Sequence, residues 1–125
     1  MNEPSALVAA AKIAIASNLD RNVTLHELCA AMHCSPWQLC RAFRRATGQT
    51  LTNYRHALRM QIALERLQQR DTDLTELALE LGYSSHSHFT HVFHRHLGIT
   101  PSQVRAGERK KELPRLVPHE ARQSA

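Results

Sequence analysis

The 125-residue chain is 42% hydrophobic but only 5% aromatic, so its interior is one core or two small ones sharing a helix, filled by Leu, Ile, Ala and a few Phe. Sixteen Lys and Arg against eleven Asp and Glu leave a formal charge of +5, which favours a polyanionic partner. No apolar run approaches the roughly 20 residues of a membrane helix and no charged leader is visible, so membrane contact is excluded and a cytoplasmic protein is expected.

A first helix is expected over about 5–18, where Leu7, Val8, Ala11, Ile15 and Leu19 recur at helical intervals. Asp20 to Val23 breaks the pattern. Thr24 and Glu27 then make a T-x-x-E capping box, opening a second helix to about Met32. Cys29 falls on its apolar face, and with Cys34 and Cys40 it reads as a free thiol in a reducing compartment rather than as half of a disulfide or a redox sensor. Ser35 can accept the orphan amides of a first turn, and Pro36 has no amide to leave unpaired, so a third helix starts there and ends near Thr47 at Gly48. A long amphipathic stretch follows, with Leu51, Tyr54, Leu58, Ile62, Ala63 and Leu67 near one side. Its roughly 19 residues make a rod of about 28 Å.

The pattern then restarts. Glu27 and Leu28 recur as Glu76 and Leu77 at an offset of 49, while Phe43, Arg45, Gly48 and Thr50 recur as Phe93, Arg95, Gly98 and Thr100 at an offset of 50. One residue is inserted in the second turn. His33 stands where the second copy has Gly82, a position whose positive φ costs a non-glycine residue about 1 kcal/mol. Thr100-Pro101 repeats the cap-plus-proline signal and opens a short last helix to about Arg105. No strand-period alternation of useful length appears, so the class is all-α. The expected organisation is a first unit over 5–48, a linker helix over 49–70, a second unit over 71–105 and a flexible tail over 106–125, where charges and two prolines leave no sustained apolar face.

Each copy is a short helix, a tight turn and a longer helix beginning at Ser, the layout of a helix-turn-helix whose second helix lies in the major groove. With Leu39 inward at 100° per residue, Ala42, Phe43 and Ala46 share the inner side, and Trp37, Arg41 and Arg44 form an outward stripe flanked by Cys40, Gln38 and Arg45. Arginine binds guanine or phosphate, and Trp packs on thymine methyls or sugars. The alternative is that Trp37 folds back on the first helix and the arginines only solvate a face. In the second copy Phe89 and Phe93 point inward, Ser87, His91 and His94 take the stripe, and His88, Thr90 and Arg95 flank it, with His86 at the helix start. His96 falls on the inner side as a packing residue. Duplex binding is expected to strengthen as pH falls toward about 6, where imidazoles gain charge.

Successive major grooves on one face of DNA lie about 34 Å apart, so the linker rod suits two reading heads and spares the need for a dimer. His88, His91 and His94 at i, i+3 spacing make an incomplete metal site, so neither a metal nor a cofactor is expected. There is no nucleophile–base arrangement and no phosphate-cradling loop among only four glycines, so no catalytic residues are expected and the chain is not an enzyme. A competing function is a module that docks on RNA polymerase or another regulator without reading DNA.

The run Arg59-Met60-x-x-Ala63-x-x-x-Leu67, Leu77-Ala78, Gly82-Tyr83, Phe89-x-x-x-Phe93, Gly98 and Thr100-Pro101 closely resembles the signature of the AraC/XylS family of bacterial transcription regulators, over about residues 6–105. In length the chain looks like the stand-alone members of the MarA/SoxS type. The resemblance implies seven helices, two helix-turn-helix units joined by a central helix, monomeric binding to an asymmetric duplex, and contact with RNA polymerase, usually as an activator. Carried over by position, the base-contacting candidates are Trp37, Cys40 and Arg41 in the first recognition helix and His86, Ser87, His88, Thr90 and His91 in the second. Cys40 departs from the polar residue common there, and the second helix is richer in His than is usual. Arg59 is expected to be structural or phosphate-adjacent rather than base-reading.

Overall fold

The computed structural model describes residues 3–69 and 72–107. Among these, seven helices and no strand are found: α1 (Pro4–Ser17), α2 (Leu25–Met32), α3 (Pro36–Thr47), α4 (Leu51–Leu67), α5 (Leu74–Glu80), α6 (His86–Leu97) and α7 (Pro101–Arg105). Of the expected tail, Ala106 and Gly107 form a turn, and the rest lies outside the described residues.

Side-chain caps set most helix starts. Thr24, Ser35, Thr50, Ser85 and Thr100 each accept from the amide three residues on, and Asp73 accepts from both Thr75 and Glu76. The box expected at Thr24 is only half made: the hydroxyl takes the Glu27 amide at 3.1 Å, but the Glu27 carboxylate turns to Arg21 at 3.3 Å. The long helix is also shorter than its apolar pattern suggested. It has 17 residues, about 25 Å. The Thr72 hydroxyl donates to the carbonyls of Arg66 (2.6 Å) and Gln69 (3.1 Å), which helps draw the chain out of the helix there.

The repeat extends to the backbone. Both turns close with a six-to-one bond, Cys34 amide to Cys29 carbonyl (3.1 Å) and Tyr83 amide to Ala78 carbonyl (3.0 Å), around a left-handed residue, His33 at φ 52° and Gly82 at φ 85°. Because Cys34 and Tyr83 are still 49 apart while Ser35 and Ser85 are 50 apart, the inserted residue is Ser84.

Two apolar clusters share α4. Leu7, Val8, Ile15, Leu28, Leu39 and Phe43 meet Tyr54 and Leu58 of its first half; Leu77, Phe89, Val92, Phe93 and Leu97 meet Met60, Ala63 and Leu67 of its second half. Each such Leu or Phe contributes about 1.5–3 kcal/mol on burial. Between Leu58 and Met60 sits Arg59, 1% exposed, where the helix passes from one core to the other.

Arg59 holds that junction. Its Nε donates to the Leu19 carbonyl (3.1 Å), its Nη2 donates to the Arg21 carbonyl (3.2 Å) and to Asn22 Oδ1 (2.8 Å), and its guanidinium stands 5.0 Å from the centre of the Tyr83 ring. Asn22 in turn donates to the Gly82 carbonyl at 3.4 Å. The loop of the first unit and the turn of the second are thus tied through one buried cation. Buried, and donating from Nε and Nη2 to the protein itself, Arg59 acts as a structural residue.

Beside it, His56 Nδ1 lies 2.7 Å from the Tyr83 hydroxyl. Burial, then the Arg59 charge and weaker charges at His96, Arg95 and His88, push His56 down to about 4. Burial pushes Tyr83 up to about 12 against the opposing pull of Arg59. At neutral pH the phenol therefore keeps its proton and the imidazole it is hydrogen-bonded to is neutral.

Candidate nucleic-acid interface

The first recognition surface is built on α3. Ser35 Oγ accepts from the Gln38 amide (3.1 Å) and the Ser35 amide donates to Gln38 Oε1 (2.9 Å), a closed capping box that starts the helix sharply after the turn. Gln38 is exposed as expected, but its amide oxygen is committed to the cap and only its NH2 group is left to face a partner. Leu39, Ala42 and Phe43 are buried, and Trp37, Cys40, Arg41, Arg44 and Arg45 are exposed.

Trp37 does not fold away: it is 66% exposed, with the Arg41 guanidinium 4.9 Å from the centre of its ring. Such stacking aligns the guanidinium plane while leaving its edge free to donate. Among the described residues no carboxylate pairs with Arg41, Arg44 or Arg45; the ion pairs Arg21–Glu27 and Arg66–Glu80 lie elsewhere. Three uncompensated guanidinium groups and one indole therefore face solvent from a single helix.

Ala46 is a correction. It is exposed, lining a hollow of about 450 Å³ between α1 and α3 with Leu7, Val8 and Ala42. The helical angle places it inward, but α1 walls a hollow beside it and leaves it exposed. On the other flank a groove of about 760 Å³ brings Trp37, Cys40, Arg41 and Arg44 together with Thr52 and Arg55 from the start of α4. Arg55 was not singled out from the sequence. Its Nη2 donates to the Val23 carbonyl, and burial lowers its pKa. The signal that could have found it is its place one turn past the Thr50 cap.

The second surface is built on α6. His86, Ser87, His88, His91 and His94 are exposed, Thr90 is half-buried, and Phe89, Val92, Phe93 and Leu97 are inside. His88 is less free than its exposure suggests, because its ring meets the Tyr83 ring edge-on at 5.2 Å. His96 is half-buried as expected, 5.9 Å from His56, with burial and then Arg95 lowering its pKa. Among the described residues no group of three or more His, Cys, Asp or Glu is placed to hold a metal, and no helix is long and apolar enough to cross a membrane.

A family model described as a helix-turn-helix domain matches residues 28–107. A transcriptional regulator from Chromobacterium violaceum, described as containing an AraC-type DNA-binding domain, has the same fold, with a TM-score of 0.75 at 25% identity over 86% of this chain and 96% of that one. This chain belongs to the AraC/XylS family. It carries the helix-turn-helix domain of that family. Among the relatives of this AraC-type chain, the transcriptional activator RhaR of Enterobacter sp. (strain 638) is 35% identical over 109 residues, 87% of this chain and 39% of RhaR. The probable transcription factor PqrA of Proteus vulgaris is 37% identical over 71 residues, 57% of this chain and 58% of PqrA. The chain thus spans less than two thirds of either relative. The DNA-binding domain of AdpA, solved in complex with a target DNA, matches with a TM-score of 0.71 at 26% identity, over 80% of this chain and 91% of that one.

Proposed function

We propose that this AraC-type domain binds an asymmetric duplex as a monomer, with α3 and α6 in successive major grooves, and activates transcription in contact with RNA polymerase. Residues 5–48 and 71–105 are the two reading units and residues 49–70 the linker. The observation that carries the reading is that the two exposed recognition faces are unlike. One offers Trp37, Arg41 and Arg44, the other His86, Ser87 and His91, and unlike faces suit unlike half-sites.

Arg41 and Arg44 donate to guanine or phosphate, Trp37 packs on thymine methyls or sugars, and Gln38, Cys40 and Arg45 flank them. His86, Ser87, His88, Thr90 and His91 read the second groove by hydrogen bonds. The α4 rod of about 25 Å is shorter than the roughly 34 Å between grooves, so the duplex bends toward the protein to meet both heads. Activation and polymerase contact are supported by the family and by RhaR, which is named an activator.

The test is a duplex selected from random sequence by the purified protein. Arg41→Ala and Trp37→Ala lose discrimination between that duplex and a scrambled one, whereas Arg66→Ala, which removes only a surface ion pair to Glu80, does not. Equal losses in all three variants would overturn the residue assignment, and no duplex preference over heparin would overturn DNA reading itself.

A further inference from the structure

The turn that leads into the first recognition helix carries two thiols that its counterpart lacks. Cys29 and Cys34 occupy the places of Ala78 and Tyr83. In a turn closed by a six-to-one bond around a left-handed residue, the side chains of the two bonded residues meet. Here those residues are the cysteines: the Cys34 amide donates to the Cys29 carbonyl at 3.1 Å across His33. That backbone bond pins the two residues within the reach of a disulfide, which needs their Cα atoms no more than about 7 Å apart.

The two sulfurs differ in access. Cys29 is buried in the first core, and Cys34 is half-buried at the edge of a surface hollow of about 530 Å³ that it shares with Cys29, His26, His33 and Ser35. Burial, then a hydrogen bond and charge interaction with the Cys34 thiol, raises the Cys29 pKa, so chemistry starts at Cys34. Cys40 is exposed one helical turn into α3.

We propose that Cys29 and Cys34 form an oxidisable dithiol that a small hydroperoxide closes into a disulfide, weakening DNA binding by the first reading head. Hydrogen peroxide oxidises the Cys34 thiol to a sulfenic acid and leaves as water; the Cys29 sulfur then attacks Cys34 Sγ, forming the S–S bond and releasing a second water. Two electrons pass from the two thiols to the peroxide. Drawing the sulfurs to about 2.05 Å shifts Cys34 and with it the adjacent Ser35, whose hydroxyl and amide make the cap of α3. Losing an N-cap corresponds to a drop of roughly fivefold to tenfold in the affinity of a helix that must be correctly set to bind. This last step rests on the DNA-reading proposal above; closure of the bridge does not.

The experiment treats the full chain with hydrogen peroxide, reads the intact mass and unreduced peptides, and measures affinity for a selected duplex before oxidation, after it, and after reduction with dithiothreitol. The expected product is a monomer lighter by two hydrogen atoms, joined through Cys29 and Cys34, formed also by Cys40→Ser but not by Cys34→Ser or by Cys29→Ala, which installs the residue of the second copy. Affinity falls fivefold to tenfold and returns on reduction, and Cys34→Ser is insensitive. A bridge to Cys40, a disulfide-linked dimer, or oxidation that stops at sulfinic acid would overturn the dithiol. A Cys29–Cys34 bridge with unchanged affinity would overturn its control of DNA binding. If the reduced chain prefers no duplex, the DNA-reading proposal fails, and the mass measurement still decides the bridge.

Discussion

Replacing Arg59 with Met removes a charge from the junction between the two cores of this domain, at nearly constant volume. The guanidinium makes three hydrogen bonds to Leu19, Arg21 and Asn22 and stands over the Tyr83 ring. Hydrogen bonds from a charged donor contribute about 1.5–3 kcal/mol each, and a desolvated cation–π contact about 2 kcal/mol. Against this, burying the guanidinium costs several kcal/mol, which Met avoids. The three acceptors belong to a loop that water can partly reach, so the net destabilisation of Arg59→Met is about 2–4 kcal/mol. Urea unfolding measures it: with a slope of about 1–2 kcal/mol/M, the midpoint falls by roughly 2 M. Arg59→Lys fails to restore it, because a single ammonium lacks the fork that reaches carbonyls on two residues at once. A loss below about 0.5 kcal/mol would refute the junction role.

The two turns make opposite predictions. A Cβ on Gly82 would lie 2.5 Å from Arg59 Nη2 and 2.8 Å from the Leu19 carbonyl at φ 85°, so Gly82→Ala destabilises by about 2–4 kcal/mol. His33→Gly relieves a φ of 52° and raises the urea midpoint by the equivalent of up to about 1 kcal/mol; a fall would show that the His33 side chain outweighs its backbone strain. Stability also depends on pH through His56. Its folded pKa near 4 lies below the ordinary value of 6.5, so between those limits the unfolded chain holds the extra proton. Thermal stability is full above pH 6.5 and is lost as pH falls toward 4, at no more than about 1.4 kcal/mol per pH unit; His56→Gln flattens the profile, and an unchanged slope would remove His56 as its cause. Finally, Trp37→Ala leaves the unfolding midpoint within about 0.5 kcal/mol of the parent, since its ring is outside the core; a larger loss would mean that the exposed indole supports α3.

Much of the fold is written in local signals. Ser35-Pro36 and Thr100-Pro101 mark helix starts because a hydroxyl acceptor and a missing amide act over three residues, and the offset of 50 betrays the second unit without any tertiary information. What the pattern missed depends on contacts between distant segments. The resemblance makes Arg59 structural or phosphate-adjacent, but helical phase does not reveal its burial, which depends on acceptors 37 to 40 residues earlier in the chain. Ala46 has the right helical angle for the core, but angle alone does not say where the neighbouring helix stops covering it. The outward stripe on α3 was legible because helical phase decides it. The half-engaged Gln38, the His88 ring on Tyr83 and the position of Arg55 were not, each being set by a partner outside the helix phase.

The most direct test of two unequal readers on one rod is to select duplexes from random sequence with the purified chain and map the protection it gives on the winner. Two unlike protected blocks about one helical turn apart, with one protein bound per duplex, are expected. A single block, an inverted repeat filled by two proteins, or no enrichment at all would contradict it.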